Sequence, residues 1–520
     1  MTEPAWNFDL FEPGMTGFHR AGLVGLLASL QSGCMGDTVH WQVSGNKLSL
    51  SGIGDSEEDV HRLLQTIYHM EEGLVSFPIF GPRLLAEVRA DIQSILLQTF
   101  LQHGKSRELE PGLRVLGAEE DTPFQYKPLL DFKHRSLATA QVIVKSKKSG
   151  KFIPVAGWAL PGAVTKHIAH LDTSWEDTPE RFLLLMCAPL GCLYFKAQSY
   201  DGNGDWDKRT QSVIVIPEAV NLEQQATRLV HFYEGRSQET RIGLVGGVSD
   251  AVLRAAMEVE LEESIRGQGM QFYGMRFGDV PWSKQQKTRT GALTIRQVNK
   301  QVKEQYHSTI QWLGNQTRKS ARGDTYQLVM PMRERIVENL LRREPWYLGF
   351  HKYMHGKRRR LMMTWREGMR ELVENRGNWD NNLKKGFVDV VQKSVNNRFG
   401  KVYSQAISAS SDTRRAFSRE YERMILSFQN CRTKEAFRET LMRFIAGTYP
   451  RLKSDTPGQL TERDILQRSI FEGEVDWKEL RDLCLLAIAT YRGTHASQLD
   501  SENTDVEELE DSELMTKEND

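Results

Sequence analysis

Near residue 331 the hydrophobic pattern of this sequence changes period, and that change leaves few folds open to it. Downstream, apolar residues recur at helical spacing. Ile336, Val337, Leu340 and Leu341 form one set, and Leu361, Trp365, Met369 and Leu372 the next. Phe417, Tyr421, Met424, Ile425 and Phe428 follow, then Phe437, Leu441, Phe444 and Ile445, then Leu480, Leu483, Ala487 and Tyr491. Side chains at such spacing share one face of a 3.6-residue helix, and each apolar stripe needs a partner stripe. Helices of this kind joined by short polar loops predict a bundle over 331–495.

Upstream the pattern is mixed. Thr38–Val43 and Lys47–Leu50 flank Ser44-Gly45-Asn46, a hairpin signal. Gln141–Lys145 and Phe152–Trp158 around Lys147-Lys148-Ser149-Gly150 predict a second hairpin. Phe182–Met186, Leu193–Ala197 and Ser212–Ile216 read as strands. Ala21–Leu30, Glu57–Met70, Pro82–Leu101 and Val248–Ile265 read as helices. The expected fold class is α+β: a mixed α/β N-terminal domain over 1–330, an all-helical C-terminal bundle over 331–495, and a disordered acidic tail over 496–520. A chain of 520 residues has room for several domains.

Charge is unevenly placed. Lysine plus arginine equals aspartate plus glutamate, 68 against 68, yet Ser283–Arg370 holds 20 basic residues and 6 acids. Ala496–Asp520 holds 10 acids and one lysine. A basic block inside a neutral chain is the electrostatic footprint of a polyanion partner, although a solvated helical face gives the same composition. No apolar stretch reaches the roughly 18 residues a membrane span needs. The start, Met1–Phe11, is acidic and polar, unlike a secretory signal. Five dispersed cysteines read as reduced thiols in a cytoplasmic protein, and no C-x-x-C suggests structural zinc.

Motifs for chemistry are sparse. Asp201-Gly202-Asn203-Gly204-Asp205 opens like a calcium loop but has Trp206 at position six and Ser212 at position twelve. Gly243-Leu244-Val245-Gly246-Gly247 fits neither a dinucleotide fingerprint nor a P-loop. His167, His170 and Asp172 match no ligand template. The expectation is therefore no catalytic residue, no metal and no cofactor; the alternative is a nuclease with a scattered acidic site.

The densest polar cluster is Pro281-Trp282-Ser283-Lys284-Gln285-Gln286-Lys287-Thr288-Arg289. Glutamine pairs bidentately with adenine, while lysine and arginine reach guanine or phosphate. An ordinary polar loop has the same composition. Downstream, Arg296, Lys300, Lys303, Arg318, Lys319 and Arg322 interleave with Tyr306 and Trp312. Arg342, Arg343, Lys352 and Lys357–Arg360 interleave with Trp346, Tyr347, Phe350 and Tyr353. Bases stack on aromatic faces while cations follow phosphates, though core packing accounts for such aromatics as well.

Two segments carry a resemblance. Phe18-His19-Arg20-Ala21-Gly22-Leu23, shortly after Pro13-Gly14-Met15, resembles the N-terminal H-R-A-G-L signature of the Myxan-type large subunits of type I CRISPR effector complexes. W-S-K-Q-Q-K-T-R at 282–289 is similar to a basic motif of the same proteins. The resemblance implies a Cascade subunit that contacts the 5′ handle of the guide crRNA, recognises the protospacer-adjacent motif (PAM) in target duplex DNA, and stabilises the R-loop. On this chain it assigns duplex and motif contacts to Lys284, Gln285, Gln286, Lys287, Thr288 and Arg289. RNA contacts go to His19 and Arg20, although the same residues equally well begin an apolar helix with His19 at its cap. R-loop phosphates go to Lys357, Arg358, Arg359, Arg360, Arg366 and Arg370. Implied partners are Cascade backbone and handle-binding subunits, and nuclease-helicase or transposition proteins. Small-subunit copies made from this chain's own helical domain are also implied, by internal initiation near Met354.

Overall fold

The computed structural model describes residues 6–35, 39–53, 56–116, 124–162, 164–165, 174–198, 211–239, 241–260, 271–277, 291–296, 298–319, 325–410, 412–446 and 461–493. The chain forms two compact units, 1–198 with 208–298, and 199–207 with 299–520.

The first unit begins with β1 (Trp6–Asp9) and α1 (Gly17–Gln31), followed by β2 (His40–Ser44) and β3 (Lys47–Ser51). These strands pair in the order β1-β3-β2, with Ser44 opposite Lys47 closing the predicted hairpin. Next come α2 (Glu57–Ile67), the small hairpin of β4 (Met70–Glu71) and β5 (Leu74–Val75), and α3 (Ala86–Gln98). β6 (Arg107–Leu109) pairs with β9 (Leu129–Phe132), and β7 (Arg114–Leu116) with β8 (Phe124–Tyr126). α4 (Leu137–Ser149), β10 (Ile153–Pro154), β11 (Glu176–Asp177) and α5 (Pro179–Cys187) lead to the main sheet.

That sheet contains β12 (Leu193–Ala197), β13 (Gln211–Pro217), β14 (Leu244–Val245), β15 (Gln271–Phe277) and β16 (Gly291–Arg296), in the order β14-β12-β13-β15-β16. Only the β12–β14 pair is parallel. Central β13 is buried at every position, because helices cover both faces. They include α1, α3 and, after α6 (Leu222–Gly235), α7 (Val248–Glu260).

α1 is apolar all round and correspondingly buried, with Phe18, Leu23, Val24, Leu26, Leu27 and Leu30 all inside. Each such side chain contributes about 1.5–3 kcal/mol by leaving water. Its small residues set how closely it packs. A Cβ on Gly22 would lie 1.8 Å from the carbonyl oxygen of Leu184, and one on Gly191 would lie 1.8 Å from that of Ala21.

Two predicted segments differ from the structure. Gln141–Lys145 lies inside helix α4, not in a hairpin. Ser136 caps its start and Gly150, at φ +65°, ends it in the left-handed conformation, so the glycine that suggested a turn is a helix stop. Phe182–Met186 lies in helix α5, capped by Thr178 with Pro179 in the first turn. A short run that is buried all round has no periodicity, and only its start signal separates helix from strand.

The second unit opens with α8 (Lys300–Trp312) and the hairpin β17 (Gln316–Lys319) and β18 (Thr325–Leu328). It continues with α9 (Arg333–Leu341), α10 (Gly356–Met363), α11 (Arg366–Glu374) and α12 (Asn382–Ser408). α13 (Thr413–Gln429), α14 (Lys434–Ile445), α15 (Glu462–Leu466) and α16 (Trp477–Ala489) complete it. Past Leu328 no strand occurs among the described residues, so the mixed-then-helical order expected from the periodicity is the observed one.

α12 and α16 form the spine, and α13 packs against both. Asp482 of α16 accepts hydrogen bonds from the backbone N–H groups of Gly349 (2.7 Å) and His351 (2.9 Å), and pairs with the His351 ring at 2.6 Å. Tyr347 donates to Glu479 at 2.7 Å. The segment before Met354 is therefore fastened to the last helix.

Candidate nucleic-acid interface

The H-R-A-G-L segment sits at the start of α1 and forms a buried polar knot. Thr16 caps the helix. Its backbone N–H donates to Nδ1 of His19 at 3.0 Å, which leaves Nε2 as the protonated ring nitrogen, donating to Asp177 at 2.8 Å. Asp177 also receives Arg181 Nε and the backbone N–H of Thr178. Burial alone would raise the Asp177 pKa. The hydrogen bonds from His19 and Arg181, with the Arg181 charge, outweigh it and hold the carboxyl below its ordinary range.

His19 is fully buried, with Trp175 edge-on to its ring, and it serves the cap and the tie to Asp177. Arg20 points elsewhere and pairs with Glu218 at 2.7 Å, keeping about a quarter of its side chain exposed. Gly22 is the close-approach point against α5. In this structure the signature is thus a docking motif of α1, and Arg20 is its one solvent-reaching cation.

The Lys284–Arg289 cluster, the loop at 201–205, His167, His170, Asp172 and the tail over 496–520 lie outside the described residues. Among the described residues, no three histidine, cysteine, aspartate or glutamate side chains gather as a metal site, and no helix is long and apolar enough to cross a membrane. Within Gly243–Gly247, Leu244 and Val245 form β14, and the bend at Gly246–Gly247, where the Gly246 N–H donates to buried Asp250 at 2.8 Å, leads into α7.

The downstream basic block separates into two kinds of residue. Lys357 and Arg360 are exposed on α10, and Arg358 lies over the ring of Tyr353, 5.5 Å from its centre. Arg359 pairs with Glu422 of α13. Arg366 and Arg370, assigned to R-loop phosphates from the sequence, are 4 % exposed. Arg366 Nε donates to the carbonyl of Ala489 at 2.8 Å, and Arg370 donates to that of Tyr491 at 2.6 Å. These carbonyls belong to the open end of α16, whose dipole favours cations there. The two arginines are placed as caps of that helix, facing inward.

The aromatics divide similarly. Tyr306, Trp346, Tyr347 and Phe350 are buried core, while Trp312 is 38 % exposed. Alternation of basic and aromatic residues reflects an amphipathic helix more than a base-stacking platform. Sequence reasoning passed over Arg419 and Arg423. With Ser418, Glu422, Leu426 and Asn430 they line a shallow groove of about 520 Å³ on α13. The groove shares Glu422 with Arg359. The signal was legible, since Arg419 and Arg423 are four residues apart on the face opposite the apolar stripe.

Comparison with known proteins follows the same division. Residues 7–186, from β1 to α5, match the DevT N-terminal domain, and residues 374–518 match the DevT C-terminal domain. The basic block falls between the two matches. Along 546 residues, covering 96 % of this chain and 90 % of the relative, the sequence is 27 % identical to "CRISPR-associated protein Cas8a1/Csx13" of Myxococcus xanthus (strain DK1622). With both DevT domains matched in order and a relative aligned over nearly its whole length, the chain resembles the Cas8-like large subunits among CRISPR-associated proteins.

Proposed function

We propose that this chain is the large subunit of a type I CRISPR RNA-guided DNA-targeting (Cascade) complex in the cytoplasm, acting by binding and without catalysis of its own. The near full-length relation to the Myxococcus Cas8a1/Csx13 protein carries this reading. In it the first unit contacts the crRNA 5′ handle, with Arg20 exchanging Glu218 for a phosphate. Lys284, Gln285, Gln286, Lys287, Thr288 and Arg289 recognise the PAM in duplex DNA. Sequence along the target is otherwise read by guide pairing, so the protein needs phosphate contacts and a few base contacts. Lys357, Arg358 and Arg360 follow R-loop phosphates from the exposed face of α10. Arg366 and Arg370 are left out of that role because both cap α16.

The partners in this reading are crRNA, target DNA, the Cascade backbone and handle-binding subunits, and a downstream nuclease-helicase or transposition machinery. The test is co-expression with the backbone proteins and a guide RNA. The complex should hold a short RNA and should bind duplex DNA only when that duplex matches the guide and carries the correct flanking motif. Cleavage of DNA by the isolated chain with Mg²⁺, or assembly of an active complex without it, would refute the proposal.

A further inference from the structure

β6 and β9 are antiparallel, with Arg107 opposite Phe132. Their outer ends run directly into the short helical turns Gly104–Ser106 and Lys133–Arg135, so Lys105 and Lys133 emerge side by side at one end of the ladder. Among the described residues neither lysine has a carboxylate partner. Asp131, the nearest acid on β9, pairs with Arg135 at 3.5 Å. The Lys133 ammonium donates to the carbonyl of Gly157 at 3.3 Å and lies 4.7 Å from the centre of the Trp158 ring. That ring is itself fixed, its indole N–H donating to Thr139 at 3.1 Å. Burial and the neighbouring Lys105 charge push the Lys133 pKa down. Two adjacent ammonium groups repel, and one of them is partly withdrawn from water. An anion bridging them would relieve both costs.

We infer that Lys105, Lys133 and Trp158 form a clamp for the phosphodiester backbone of an unpaired nucleic-acid strand. This inference rests on the nucleic-acid-binding function proposed above. Lys105 is exposed and reaches a phosphate directly. Lys133 moves from Gly157 to the same or the next phosphate. Its departure uncovers the face of Trp158, on which an unstacked base rests. An aromatic face beside a pair of cations suits an unpaired strand, whose bases are free to stack, better than a duplex, whose bases are already stacked.

The full-length protein is titrated with fluorescein-labelled single-stranded RNA and, separately, single-stranded DNA of the same sequence, each over a range of salt. Lys105→Gln/Lys133→Gln should weaken binding of at least one strand and make its salt dependence shallower by about 1.4 in log–log slope, at roughly 0.7 per phosphate released. The strand affected identifies the natural ligand. Lys105→Gln alone, at an exposed position that leaves the Trp158 contact intact, should give about half that change in slope. Lys133→Arg should retain binding. Wild-type binding that both glutamine variants reproduce on both strands would overturn the clamp and leave the proposed function standing. A wild-type chain that binds neither strand would overturn both.

Discussion

His134 lies in an aromatic pocket, edge-on to Tyr68 and Phe100 and tilted against Phe132, and is fully buried. Its Nε2 bonds the carbonyl of Ala159 at 3.2 Å, while Nδ1 has no partner among the described residues. Burial opposes the charged ring and pushes its pKa from 6.5 down to about 4. The unfolded chain therefore takes up a proton as pH falls through 6.5, and the folded chain does so only near 4. Stability from the neutral ring is complete above 6.5 and is lost as pH drops through that window. A gap of about 2.5 units corresponds to ~3 kcal/mol, of which ~2 kcal/mol is gone by about pH 5. His134→Gln keeps a donor for Ala159 and has no titratable group. Urea unfolding at pH 7.5 and pH 5, with hydrogen exchange followed over residues 132–144, compares the two proteins. The wild type should lose about 2 kcal/mol more than the variant between these pH values. Equal losses would show that His134 does not titrate across the window and would refute the assignment.

Gly22→Ala should prevent correct packing of the first unit. The added carbon would meet the Leu184 carbonyl, and an overpacked backbone contact costs about 1–3 kcal/mol or more, read as insoluble expression or a lowered melting point. Arg366→Ala or Arg370→Ala should destabilise the helical unit by roughly 1.5–3 kcal/mol per charged hydrogen bond lost, with the salt dependence of DNA binding unchanged. Lys357→Gln/Arg360→Gln should do the reverse, lowering DNA affinity at constant melting temperature; the opposite assortment would exchange the two assignments. Alanine at Gln285, Gln286, Lys287 or Arg289 should cost about 1–3 kcal/mol and relax one motif position where the residue contacts a base. A library of motif variants checks this, and unchanged preference in all four would exclude the segment.

Initiation near Met354 was expected to release the helical domain as a small subunit. The structure shows what such a product would lack. Trp346, Tyr347 and Phe350 are buried, and Gly349 and His351 bond Asp482. A fragment starting at Met354 exposes the Asp482 end of α16, so it needs a partner surface to replace those contacts.

The sequence by itself determined the class of the fold and most of its pieces. Helical spacing persists from Ile336 to Tyr491, and this periodicity is a local property that survives without knowledge of neighbours. The Ser44-Gly45-Asn46 turn likewise closes the hairpin that its residues require. Local pattern gave the wrong element at Gln141–Lys145 and Phe182–Met186. There, burial on all sides erased the period, and the caps at Ser136 and Thr178 decided the outcome. The residues of the candidate interface depended still more on tertiary structure. His19, Arg366 and Arg370 look in sequence like any basic residue beside an apolar stripe. Only the arrival of Asp177, 158 positions away, and of the α16 carbonyls, more than 120 positions away, turns them inward. Conversely, Lys105 and Lys133 are unremarkable in sequence, and antiparallel pairing of β6 with β9 brings them together. A charge's role depends on what lies across from it, and strand register and helix packing set that at separations no local window spans.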